Sequence, residues 1–220
     1  MLISNTIAFK AVQLSENKVF ITYIKKVSSS YYLKAVTCSI QDNMINLDNN
    51  VTQILQTVNN ASVYLIKLKE NKVIIINRIS NKYTFYICTI SDNNIICNTD
   101  SGHTAEVTTN YSTPSQFIAL SEDKFVMLYA SSINYSYPIS LIGKVGIINS
   151  NNEITFGENV ESTTTDLGRY FSAIKVSENK ILITSNTEVD SYIGSISITP
   201  CIINENSLAF REFNTTCIFK

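Results

Sequence analysis

Four near-copies of one seven-residue stretch constrain the fold of this chain more than any other feature. "LSENKVF" begins at Leu14, "LKENKVI" at Leu68, "LSEDKFV" at Leu120 and "VSENKIL" at Val176. Lys18, Lys72, Lys124 and Lys180 anchor the copies, at spacings of 54, 52 and 56 residues. Glu16, Glu70, Glu122 and Glu178 stand two residues before each lysine. A fixed period of this length marks an array of supersecondary units. The segment after Lys180 joined to the segment before Lys18 gives a further period of 58. Four whole units are therefore expected, at about 5–55, 56–106, 107–162 and 163–220, forming one domain over 1–220.

Each unit reads as four strands, a to d. Strand a precedes the repeated turn and alternates: Val12 and Leu14 against Gln13 and Ser15, Ile66 and Leu68 against Lys67 and Lys69. Period two with one polar face describes a half-buried strand. Strand b follows the turn as "VFITYI", "VIIIN", "FVMLY" and "ILIT". Runs apolar on both faces and rich in β-branched residues belong to strands covered on both sides. Strand c is "YYLKAVTCSI", "YTFYICTI", "ISLIGKVGII" and "YIGSISITPCII"; strand d is the shorter "MINL", "NIIC", "EITF" and "SLAF". Asn/Asp/Ser clusters between c and d read as hairpin turns. Pro200 falls inside the last c strand, where a missing ladder donor predicts a bulge or a weakened edge.

Four antiparallel strands per unit, the second most buried and the last most polar, describe a propeller blade. The expected fold is all-β, a four-bladed β-propeller closed within one chain. The alternative is half of a larger propeller completed by a second chain, so a homo-oligomer stays open. Four repeats exclude a β-trefoil, and the period-two pattern excludes a helical solenoid.

Charge and composition narrow the function. The net charge is −1 with no basic block, which argues against nucleic acid, whose phosphates require a positive surface. No apolar run approaches the ~18 residues of a spanning helix, so membrane insertion is not expected. The first residues, "MLISNTIAFKAVQL", carry neither a basic n-region nor a continuous apolar h-region. No signal peptide is expected. Synthesis in the cytoplasm follows, with incorporation into a particle or exposure by a non-classical route both open.

Of the five cysteines, Cys38, Cys88 and Cys201 take similar places late in strand c. Equivalent places in different blades lie beyond bridging distance. They read as small core residues, and mostly free thiols fit a reducing compartment. His103 is the single histidine and sits in the apparent loop "TDSGHTAEV". With no metal-ligand spacing, nucleophile motif or phosphate loop, neither a metal nor a cofactor is expected, nor enzymatic activity.

The a–b and c–d turns share one end of each blade, and the repeated turns there are polar and near neutral. The other end carries tyrosines at the b–c loops: Tyr31 and Tyr32, Tyr83, Tyr135 and Tyr137, and Tyr192. Tyrosine combines a stacking face with a hydroxyl and suits both sugars and protein partners. The plainer alternative is that these rings cap the gaps between blades. The long b–c loop "SSINYSYPIS" gives Tyr135 and Tyr137 the best chance of exposure.

The unit "L-S-E-N-K-V", an apolar strand, a c strand and then "NNEITFG" (Asn151 to Gly157) resembles propeller repeats of tail-fibre and surface-binding proteins from bacteria, clostridial in flavour, and their phages. Only the third unit keeps "EITFG". The resemblance spans the chain through turn and strand residues and implies no catalytic residue. It implies a module that recognises a cell-surface glycan or protein, or that docks on a particle protein such as one of a virion or phage tail.

Overall fold

The alternating and apolar segments flanking each repeated turn form long strands, and no helix occurs among the described residues. The structure is a computed structural model that describes residues 6–42, 44–48, 50–92, 94–99, 103–106, 115–131, 140–162, 171–190, 193–211 and 216–218. The chain divides into two compact units, Met1–Val107 and Thr108–Lys220. The division falls at the boundary between the second and third repeats.

Each repeat builds one antiparallel sheet. In the first, β1 (Thr6–Ser15), β2 (Lys18–Val27) and β3 (Ser30–Gln41) lie in order. The place beside β3 is shared by β4 (Met44–Leu47) and β5 (Thr52–Thr57). β4 pairs with the end of β3 (Cys38 opposite Leu47), and β5 with its beginning (Leu33 opposite Leu55). The second sheet repeats this with β6 (Ser62–Lys69), β7 (Lys72–Ile79), β8 (Lys82–Ser91), β9 (Asn94–Cys97) and β10 (His103–Glu106). The third contains β11 (Ser115–Ala119), β12 (Lys124–Ser131), β13 (Ser140–Ile148), β14 (Ile154–Phe156) and β15 (Val160–Glu161). The fourth contains β16 (Phe171–Ser177), β17 (Lys180–Asp190), β18 (Ile193–Asn204), β19 (Ser207–Phe210) and β20 (Thr216–Ile218). The expected four strands per unit are thus three long strands and a fourth broken in two. The second half comes from what the sequence presents as a polar connection.

The turns repeat in detail. Ser28 and Ser80 open the two-residue b–c turns with φ of 55° and 59°. Asp42, Asp92, Asn152 and Glu205 hold the c–d turns at φ of 50°, 52°, 61° and 49°. Asp and Asn tolerate this left-handed region well, so the clusters there have a conformational cause. The a–b turn is latched to strand c by its own backbone. The carbonyls of Asn17, Asn71, Asp123 and Asn179 accept hydrogen bonds from the amides of Ile40, Ile90, Ile148 and Ile203, at 2.7 to 2.9 Å.

Within the first unit, one face of the first sheet packs on one face of the second. Leu14, Phe20, Ile24, Leu33 and Ala35 meet Val63, Val73, Ile75, Tyr86 and Cys88. Inside this seam, Thr57 and buried Asn77 face each other across a long 3.3 Å hydrogen bond. Within the second unit, Leu120, Val126, Leu128 and Val145 of the third sheet meet Phe171, Ile181, Ile183 and Cys201 of the fourth. Gln116 ties this seam: its amide donates to the Phe171 carbonyl at 2.9 Å and its oxygen accepts from the Ala173 amide at 2.8 Å. Gly157 sits where a Cβ would lie 1.9 Å from the Asn206 carbonyl oxygen. That close approach of the two backbones is what the glycine of "EITFG" permits.

Two expectations change. β18 runs unbroken through Pro200, which lies opposite Leu182. On its other side, β19 pairs from Cys201 onward and β20 pairs only as far as Ser197. The proline therefore occupies the gap where the outer strand is broken, and no ladder donor is lost. Second, Cys88 and Cys97 form a disulfide rather than remaining free. They stand directly opposite each other on β8 and β9, with Cα atoms 4.0 Å apart. The bridge lies within one hairpin, not between repeats. Cys38 and Cys201 are free and buried, as core thiols.

Candidate functional site

The b–c end of the first sheet gathers two tyrosines and three lysines. The turn at Ser28 and Ser29 is tight, so Lys25 and Lys26 at the end of β2 face the start of β3. Tyr31 lies between Lys26 on one side and Thr57 of β5 on the other; Tyr32 lies between Lys25 and Gln56. Successive residues of a strand point to opposite faces, so the two rings stand on either side of the sheet. Both are half-buried. The Lys26 ammonium lies 5.8 Å from the centroid of the Tyr31 ring, and that of Lys34 lies 6.0 Å from Tyr32. These distances are at the outer reach of a cation–π attraction. Tyr31 also leans on the core between the first two sheets. No carboxylate occurs from Lys25 to Lys34, so this end is locally cationic.

Tyr83 takes the equivalent place on β8, but it is fully buried. The Arg78 guanidinium lies 5.1 Å from its ring and the Tyr64 ring 6.1 Å away. Arg78, itself 5% exposed, donates from Nε to the Ser80 carbonyl at 3.0 Å. In this second sheet the ring is buried, and the exposed aromatic surface does not extend to Tyr83. Tyr135, Tyr137 and Tyr192 lie outside the described residues. His103 belongs to a strand, β10, opposite Phe85, and not to a loop.

The opposite end carries the repeated turns. In the first unit, Lys18 reaches across to donate to the carbonyl of Asp92 in the c–d turn of the second sheet. In the second unit, the equivalent Lys124 borders an open cleft of about 840 Å³, lined also by Glu178, Asn179, Glu205 and Asn206. The polar side chains lining it are exposed or half-buried, so water screens their charges and nothing concentrates reactivity there. Among the described residues, no three His, Cys, Asp or Glu side chains come together as a metal site would require. No helix there is long and apolar enough to cross a membrane.

Among the described residues, the buried hydroxyl of Tyr129 on β12 has no hydrogen-bond partner. Burial, with the Glu161 carboxylate nearby, pushes this phenol up to about 12. Burial likewise pushes the Cys201 thiol up to about 12. Both groups are held neutral, which suits packing and not nucleophilic chemistry. No family model, no curated protein and no solved structure matches the chain.

Proposed function

We propose that the four sheets are blades of a β-propeller and that the chain is a non-enzymatic recognition module. It binds a cell-surface glycan or protein through the b–c end. The observation that carries this reading is the pair Tyr31 and Tyr32, half-exposed, each beside a lysine ammonium on a carboxylate-free stretch. Aromatic faces stack on sugar rings or apolar side chains, and the ammonium groups add donors for hydroxyls and carboxylates. A rigid sheet holds both rings, which lowers the ordering cost of binding. The test is a glycan microarray probed with the purified chain, read beside a broad glycosidase substrate panel. Selective array signals with no turnover support the reading; turnover of any glycoside overturns its non-enzymatic part.

A second reading is docking into a larger assembly, a virion or phage tail, through the blade rims. It is favoured by Met44 and Ile45 on β4 and Ile96 on β9, which are 62%, 71% and 63% exposed on outer strands. Exposed apolar residues on a sheet edge are the usual means of β-mediated association. A silent array together with stable co-purification of a particle protein selects this reading over the first.

A further inference from the structure

The bridged pair Cys88–Cys97 has a counterpart in each of the other sheets. Cys38 stands opposite Leu47 in the first, Gly146 opposite Phe156 in the third and Cys201 opposite Phe210 in the fourth. In those three a small residue of strand c faces a large apolar residue of strand d. In the second sheet a cysteine takes the place of the large residue, and of the four pairs this one is covalent. Cys38 and Cys201, at the same position of strand c, are free.

The backbone closes beside each pair in the same way. The amides of Asp48, Asn98, Gly157 and Arg211 donate to the carbonyls of Thr37, Ile87, Val145 and Pro200, at 2.9 to 3.0 Å. That bond forms alike with and without a bridge, so the ladder sets the hairpin and the bridge does not. Since Ile87 and Asn98 are a hydrogen-bonded pair, Cys88 and Cys97 beside them are a non-hydrogen-bonded pair, in which facing side chains come closest. The ladder therefore brings the two sulfurs together before any bond joins them. The sulfurs differ in access: Cys88 is fully buried, while Cys97 is half-buried on the outer strand β9.

We propose that Cys88–Cys97 is a reversible redox site, opened and closed by soluble thiols and disulfides while the second sheet stays folded. A soluble thiolate attacks the Cys97 sulfur and forms a mixed disulfide there; the Cys88 sulfur leaves and takes up a proton. A second thiolate attacks the sulfur of the bound thiol, and the Cys97 sulfur leaves and is protonated in turn. Two thiols are thereby oxidised to one disulfide, and the bridge gains two electrons and two protons. Closure is the reverse, with a soluble disulfide as oxidant. Departure of Cys88 as a thiolate into apolar surroundings makes opening slow. Reduction then lowers stability by freeing the unfolded chain and leaves the folded hairpin in place. The inference does not depend on what the b–c end binds.

The test is reduction of the wild-type chain with dithiothreitol in the absence of denaturant, followed by oxidised glutathione. Reduction is expected to abolish the linked 88–97 fragment and to lower the urea midpoint. Native alkylation should then reach Cys97 and spare Cys38 and Cys201. The β-sheet circular dichroism and the protection of the Asn98 amide from hydrogen exchange should both persist, and oxidised glutathione should restore the linked fragment. Cys97→Ser, which has the hairpin without the bridge, should keep the same Asn98 protection. A bridge that resists dithiothreitol until denaturant is added overturns the proposal. So does loss of the β-sheet signal or of Asn98 protection on reduction, or failure of the bridge to re-form. Labelling of Cys38 and Cys201 in step with Cys97 also overturns it, because opening then requires global unfolding.

Discussion

The backbone carbonyl of Asn17 accepts a hydrogen bond from the amide of Ile40 at 2.9 Å. The same bond recurs from Asn71 to Ile90, Asp123 to Ile148 and Asn179 to Ile203. The repeated turn is therefore latched to strand c through its main chain, and the Asn17 side chain takes no part in that bond. Asn17→Ala is expected to change stability by less than about 0.5 kcal/mol, as for exposed sites without a special role. Leu14→Ala, three residues earlier and 1% exposed, is expected to cost about 2–5 kcal/mol through the cavity it leaves. Urea unfolding of the two variants checks the contrast.

The Cys88–Cys97 bridge closes a short hairpin loop. Cys97→Ser is expected to lower stability by about 2–3 kcal/mol, mainly by freeing the unfolded chain. Peptide mapping without reductant should recover residues 88 and 97 in one linked fragment. Native alkylation at pH 8 should leave Cys38 and Cys201 unmodified, since both are buried and burial raises both thiols.

Tyr129 contributes to an alkaline limb of stability, beside Tyr23 and Tyr86, whose phenols burial also raises. Its folded phenol is pushed up to about 12, above the ordinary value of 10.0. Between those values the unfolded chain loses the proton first, so the folded state binds more protons and stability falls as pH rises. The contribution is fully present below pH 10 and lost toward pH 12. Tyr129→Phe removes a buried hydroxyl without a partner. It is expected to leave stability at pH 7 unchanged or to raise it by about 1 kcal/mol, and to flatten the decline above pH 10. Thermal melts of both proteins from pH 7 to 11 read out the difference.

Gly157→Ala forces a Cβ onto the Asn206 carbonyl oxygen, a backbone atom 1.9 Å from the built position. A cost of about 1–3 kcal/mol is expected, since the two backbone segments must separate. Gly143→Ala meets only side-chain methyl groups, of Leu208 at 3.0 Å and Leu128 at 3.3 Å, and should cost less. Reversal of that order in denaturant midpoints would contradict the close approach.

The repeat exposed the fold because its period, its alternation and its turns are local signals. The four d segments form strands where the pattern places them. The second half of each outer strand was hidden because β5, β10, β15 and β20 are short and lie within polar stretches. Their strand character comes from pairing with strand c, a tertiary effect that overrides composition. The disulfide was hidden for a different reason. Cys88 and Cys97 are symmetric about the turn at Asp92, so hairpin register alone pairs them. Comparing equivalent cysteines across repeats instead leads to no bridge at all. Tyr83 and Tyr31 share a repeat position, yet one is fully buried and the other half-exposed. Which ring faces solvent depends on Arg78, Tyr64 and the packing around them, which no spacing encodes.

The most direct test of the recognition account compares the two ends of the sheets on one glycan microarray. Tyr31→Ala/Tyr32→Ala alters the b–c end, and Glu16→Ala/Lys18→Ala alters the repeated turn at the other. The account predicts at least a ten-fold loss of array signal for the tyrosine variant and full signal for the turn variant. Retained binding in the tyrosine variant, with loss in the turn variant, would contradict it.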